Sequence, residues 1–295
     1  MQIIEPSVEI IHEHDPLKKI ELCGRVCYKS EDKITEDSAR RFVAARIKTK
    51  HDSILEHVHL TLKSRENPSY KNFCYGFHGS FIIEDENGDT TGNVRAWRNL
   101  FVAFCRHTRG FANGVAEPFI KFSEDLFGEF VPVEKRCDMD WYSVAEAADY
   151  MTVRFICDRG VSHELVRHRV ASFSQESTRY VDCSGNMQVI RPCFDWVKNI
   201  NGVNYQTWFR AMANSEQYYA YMINNGCKPQ EARSVLPNSL KTEVIMTATF
   251  EQWQNILALR LDKAAHPQMR QVMRLLVNLP DFPAEITYNK ELASE

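Results

Sequence analysis

The sequence predicts a mixed α+β fold of the α/β class: a central sheet flanked by helices, with a separate block at about 64–150. Three observations predict it. Residues 58–63, 151–157 and 242–248 carry apolar side chains at every second position, the period of a strand with a buried face. Residues 205–225, 250–257 and 267–276 carry them three and four apart, the period of a helix packed on one side. The two kinds of segment mix without a strict strand–helix–strand rhythm, which argues against Rossmann and barrel folds.

From the start, Val8 to His12 reads as a short strand and Pro16 to Val26 as a helix. Thr35 is placed to cap a second helix running to about Lys50, with Glu36 and Asp37 suited to its positive end. In the 64–150 block, Asn87-Gly88 is a hairpin signal, and Trp97, Phe101 and Phe104 recur at helical spacing. Met151, Val153, Phe155 and Cys157 share a strand face; Gly160 breaks that strand, and Ser162 can cap a helix carrying His163 to Arg169. In the 205–225 helix Phe209, Met212, Tyr219 and Met222 are core candidates. Phe250, Trp253 and Leu257 open the next helix, and Pro267 sits near N1 of a last one packing Met269, Val272, Met273 and Leu276.

Composition narrows the function. The 295 residues carry a formal charge of −3, which gives no electrostatic reason to expect nucleic acid or a membrane surface as partner. Nine cysteines at scattered spacings, with no C-x-x-C, fit neither a zinc ribbon nor a thioredoxin motif. The start lacks a basic segment followed by an apolar one, and no apolar run is long enough to span a bilayer. The expectation is a cytoplasmic protein with free thiols.

The densest polar stretch is Arg167 to Tyr180, with three arginines and several hydroxyls in the 13 residues from Arg167 to Arg179. Arginine forks and hydroxyls together suit a phosphate. A solvated basic helix end followed by a Ser-rich loop is the plain alternative. His163-Glu164 and His168 imitate a zinc-protease motif, but histidines five apart on a helix point about 140° apart, so no metal site is expected. Neither a P-loop nor G-x-G-x-x-G is present.

Arg167-His168-Arg169, then Ser177 and Arg179, resembles the signature of the flavin-dependent thymidylate synthases. Glu56-His57, Ala232-Arg233 with Leu236-Pro237, and the run from Asn255 through Arg260 to Arg270 are similar to that family's other segments. The resemblance implies one domain over 1–295 in the family's fold, with about 64–150 as an insertion. It implies reductive methylation of dUMP to dTMP, with 5,10-methylenetetrahydrofolate giving the carbon, FAD the hydride and NADPH the reducing power. A homotetramer with shared sites is implied too.

Carried over by position, the dUMP site takes Glu164, Arg167, Gln175, Ser177, Arg179, Arg233 and Arg260, with Ser177, Arg179 and Arg233 on the phosphate. The FAD site takes His59, Arg167, His168, Arg169, Gln175, Thr249 and Asn255. Arg260 and Ser177 are the candidate catalytic residues. Arg260 would face the uracil; Ser177 acting as a nucleophile would need a neighbouring base, and the spacing supplies none. Gln175, Thr249 and Ala265-His266 depart from the family pattern. A nucleotide- or RNA-binding protein using the Arg167–Arg179 cluster without catalysis is the competing reading; it would need exposed aromatics among the arginines, and only Phe173 and Tyr180 are there.

Overall fold

A computed structural model describes residues 1–64, 82–84, 90–99, 142–147 and 149–294. The strands in chain order are β1 (Gln2–Ile4), β2 (Ser7–Ile10), β3 (His59–Ser64), β4 (Ile82–Glu84), β5 (Thr90–Asn93), β6 (Tyr142–Glu146), β7 (Tyr150–Asp158), β8 (Ser172–Gln175), β9 (Gln188–Ile190) and β10 (Lys241–Thr249). The chain divides into two compact units. One comprises Met1–His12, Gly24–Glu31 and Met151–Glu295, the other Glu13–Cys23 and Asp32–Tyr150.

The first unit holds a four-stranded sheet in the order β2-β7-β10-β8, β2 antiparallel to β7 and β8 antiparallel to β10. A separate parallel pair joins β1 to β9. The β7 face made by Met151, Val153, Phe155 and Cys157 is buried with Met246 and Ala248 of β10 against the Phe250–Arg260 and Pro267–Val277 helices. Trp253 is fully buried and anchors that layer to β7, its indole N–H donating to the Met151 carbonyl at 3.0 Å. Trp253, Ile256 and Leu257 face in at helical spacing, as do Met269, Val272, Met273 and Leu276. β10 is buried on both faces, so its polar side chains need partners: Thr247 meets Thr152 at 2.9 Å.

The second unit holds a four-stranded antiparallel sheet in the order β4-β5-β3-β6. β4 and β5 pair as the Asn87-Gly88 hairpin signal requires; the turn itself lies outside the described residues, as do Phe101 and Phe104. Trp97 is fully buried in the helical stretch 94–99, its indole N–H donating to the Leu60 carbonyl at 3.1 Å.

Several local expectations are corrected. The second helix runs Ser38–Lys48, and Thr35 does not cap it: the Thr35 N–H donates to Ser38 Oγ at 2.8 Å, and the Ser38 hydroxyl donates to Glu21. The helix after β7 is Arg159–Leu165 and is capped by Asp158, which accepts from the Val161 N–H at 2.8 Å, not by Ser162. β7 ends at Asp158, as the glycine suggested, and Gly160 lies in the first turn of the helix that follows. Its role is room, because a Cβ there would meet Asp158 Oδ1 at 2.9 Å. Phe209 is 39% exposed, since the buried stripe of its helix is Tyr205, Met212 and Tyr219 and Phe209 stacks at the stripe's edge on Tyr205.

Candidate active site

The helix that follows β7 stops at Leu165, so Arg167, His168 and Arg169 leave its end as a loop leading into β8. Arg260 stands in the last turn of the Phe250–Arg260 helix, where the dipole favours a cation. The first unit brings these ends together. Arg260 donates from Nε to His168 Nε2 at 2.9 Å, from Nη1 to Glu164 Oε2 at 2.8 Å and from Nη2 to the Glu164 carbonyl at 3.0 Å. A guanidinium has five N–H groups, so two remain for a ligand. Burial, reinforced by the Arg260 charge, pushes His168 down to about 4. The imidazole is therefore neutral near pH 7, with its proton on Nδ1 and Nε2 as acceptor.

Gln175 ends β8 opposite Val244 of β10. Its amide nitrogen donates to Ser162 Oγ at 2.9 Å and to Thr242 Oγ1 at 3.2 Å, so its oxygen is the group available to a ligand. The loop beyond is pinned by backbone bonds: Glu176 N–H to the Glu243 carbonyl, and Ser177 N–H to the Cys27 carbonyl at 3.1 Å. Ser177 Oγ accepts from the Arg179 N–H at 3.3 Å. The Arg179 side chain is exposed and lies over the Tyr180 ring, 5.4 Å from its centroid, with Tyr28 packed against the same ring.

Arg233 is exposed at the end of the short Pro229–Ala232 helix. Glu231 is not its partner: that carboxylate accepts from the Lys228 N–H at 2.7 Å, which leaves Arg233 without an ion pair among the described residues. Thr249 caps the Phe250–Arg260 helix, its hydroxyl oxygen accepting from the Gln252 N–H at 3.1 Å, so only its proton is left to donate. Asn255 is exposed on that helix. His59 belongs to the second unit, where its ring stacks on Tyr150 at 3.8 Å and burial holds it neutral at about 3. Its Nδ1 is buried without a hydrogen-bond partner.

Sequence reasoning missed the groups that hold the site. Asp158 caps one helix and accepts from Gln268 Nε2 at 2.7 Å, tying the start of that helix to the Pro267–Val277 helix. Ser162 and Thr242 orient Gln175. Beneath the loop, the buried Glu243 carboxylate is gripped by Lys29, Arg154 and Lys241, and Lys241 also reaches Glu176 at 3.0 Å. A glutamate between Thr242 and Val244, two residues after Lys241 in a strand that continues Val-Ile-Met, was the available signal. Among the described residues no group of three His, Cys, Asp or Glu is arranged to hold a metal ion, and no helix is long and apolar enough to cross a membrane.

The first unit is thus an α+β unit that holds a guanidinium between a carboxylate and a neutral imidazole. The family model described as thymidylate synthase complementing protein matches residues 9–69 and 133–280, and the chain belongs to that family. The flavin-dependent thymidylate synthase of Pyrococcus furiosus is 32% identical over 117 residues, 39% of this chain and 48% of that protein. Those of Pyrococcus abyssi (28% over 158 residues, 53% of this chain and 63% of that protein) and Thermococcus onnurineus (30% over 138, 46% and 53%) are also similar. The chain spans about half the length of the curated relatives it matches. Among solved structures, the UMP/dUMP methylase PolB from Streptomyces cacaoi bound with 5-Br dUMP aligns with a TM-score of 0.39 and 16% identity, over 92% of this chain and 87% of that one. That likeness carries no argument about function.

Proposed function

We propose that the chain is a flavin-dependent thymidylate synthase: it methylates dUMP reductively to dTMP, with methylenetetrahydrofolate as carbon donor and NADPH as reductant. The observation that carries this reading is the Arg260–Glu164–His168 constellation, built from the segments that resemble the family signature. The residues present suit a flavin nucleotide. Arg167 and Arg169 are exposed guanidiniums without an ion pair among the described residues, on either side of a neutral imidazole. Arg167, His168 and Arg169, with Asn255 and the Thr249 hydroxyl proton, would hold FAD, which when bound supplies the hydride.

The chain's own groups do the rest. Glu164 and His168 fix the Arg260 fork, and the neutral imidazole puts no second cation beside it. Arg260 then stabilises negative charge as it develops on the pyrimidine. Gln175 offers its amide oxygen to the base. Ser177, Arg179 and Arg233 take the phosphate, and Ser177 has no base beside it that would make it a nucleophile. The reading includes a cytoplasmic homotetramer and an inserted block at about 64–150; the family match skips 70–132, which supports the insertion.

Two measurements test it. The purified protein should be yellow with a flavin spectrum, and NADPH oxidation should require dUMP and methylenetetrahydrofolate for product to form. A colourless protein that binds nucleotides or RNA without turnover would establish the competing reading instead.

A further inference from the structure

An open cavity of about 600 Å³ lies along the Pro267–Val277 helix and uses none of the residues assigned above. Its wall carries Arg270, Gln271 and Arg274, its apolar part Leu275 and Leu279, and Cys193 stands on the opposite segment. The cavity has room for a small organic ligand.

Its charge is one-sided. Arg270 and Arg274 are four apart on one helix face, an arrangement in which like charges repel. Among the described residues no carboxylate lines the cavity. Arg274 gives Nε and Nη2 to the Leu292 carbonyl, a neutral acceptor, and Arg270 makes no ion pair among the described residues. Two buried wall atoms, Arg270 Nε and Gln271 Oε1, have no hydrogen-bond partner. The wall's other polar groups are the side-chain amides of Gln271 and Asn278, the latter donating to the Arg274 carbonyl at 2.8 Å, so its cations face no anion there. The Cys193 segment is held in place beside the helix, because the Phe194 ring meets His266 edge-on and stacks on Trp196.

We propose that this cavity binds a phosphate ester, with its phosphoryl group between Arg270 and Arg274 and its organic part on Leu275 and Leu279. A carboxylate is satisfied by one guanidinium fork, whereas a doubly charged phosphoryl group can accept from two.

Cys193 is an exposed free thiol at the site and serves as the reporter. The full-length protein is alkylated at mildly alkaline pH and the Cys193 peptide is quantified by mass spectrometry, against inorganic phosphate, glycerol 3-phosphate, acetate, and potassium chloride at matched ionic strength. Phosphate and glycerol 3-phosphate should slow Cys193 alkylation saturably, the ester at lower concentration, while acetate and chloride should not. Arg270→Gln should weaken that protection about tenfold or more and Arg270→Lys less, the loss expected for one charge-assisted contact. Both variants should melt as the parent does, since Arg270 holds no other side chain. No saturable protection, equal protection by chloride, or unchanged protection in folded Arg270→Gln overturns the proposal. The readout needs no flavin or dUMP, so it stands or falls apart from the proposed activity.

Discussion

Arg260 Nε donates to His168 Nε2 at 2.9 Å, and the same guanidinium binds both the carboxylate and the backbone carbonyl of Glu164. Three of its five donors are therefore spent on orientation. Arg260→Ala and Arg260→Lys should each lower turnover by about 10²–10³, the range for one preorganised charge donor. Lysine keeps the charge but cannot reproduce the three-way fork. Flavin should stay bound in both. Steady-state rates at saturating dUMP, with the flavin absorbance measured in parallel, check this; normal turnover in Arg260→Ala would exclude the assignment.

The His168 imidazole should titrate near 4. Burial is the larger cause and the Arg260 charge the second. The sign follows: a histidine whose folded pKa lies below its unfolded value near 6.5 contributes stability above that value and loses it as pH falls toward 4. NMR titration of the ring protons should show a midpoint well below 6 in the parent. Arg260→Ala should move it upward, and an unmoved midpoint would mean that the guanidinium does not act on the ring.

In the four-stranded sheet of the first unit, β7 and β10 were legible because they alternate, and the helices covering them because their apolar residues keep the helical period; β8, Ser172–Gln175, read as part of a Ser-rich loop and was not legible. The caps were less so. Asp158 and Ser162 are both good capping residues, and only the turn geometry, with Gly160 making room for the Asp158 carboxylate, decides between them. Of the site, Glu164, His168 and Arg260 could be named from the sequence, but their mutual hydrogen bonds join positions about a hundred residues apart, which no local pattern encodes. The Glu243 network was hidden for the same reason, its cations coming from three separate segments.

That network predicts acid sensitivity. Burial alone would raise the Glu243 carboxyl, yet bonds from Lys241, Lys29 and Arg154 outweigh it and hold the group at about 2. A carboxylate with a depressed folded pKa contributes stability above its unfolded value near 4.5 and loses it as pH falls toward 2. Glu243→Gln should lower stability by about 1–3 kcal/mol at neutral pH, because Lys241, Lys29 and Arg154 lose their shared buried carboxylate and keep only Glu176, Glu31 and Glu9. It should also flatten the stability curve between about pH 4.5 and 2. Denaturant melts across that range read both effects; a variant as stable as the parent would mean that the cations find other partners.

Assembly is the fourth expectation. Sedimentation at micromolar concentration should show about four subunits if sites are shared as the family resemblance implies. A monomer that turns over would contradict that part of the proposed function and leave the Arg260 site in place.

The phosphate ligands separate substrate binding from cofactor binding. Arg179 is exposed, makes no ion pair among the described residues, and is held in place by the Tyr180 ring and by the turn that its own N–H closes on Ser177 Oγ. A guanidinium so placed gains a full charge-assisted contact when a phosphate arrives, and loses little solvation beforehand. Arg179→Ala should therefore weaken dUMP by roughly ten- to a hundredfold, the equivalent of about 1.5–3 kcal/mol, and leave FAD affinity nearly unchanged. Deoxyuridine, which lacks the phosphate, should bind parent and variant alike. Ser177→Ala should raise the dUMP requirement and keep measurable turnover at saturation, since the hydroxyl orients the phosphate and forms no bond to the base. Isothermal titration with dUMP, deoxyuridine and FAD distinguishes the outcomes. Equal loss of all three ligands would show that the loop from Glu176 to Tyr180 is only structural, and a Ser177→Ala variant dead at saturating dUMP would return the nucleophile role to that hydroxyl.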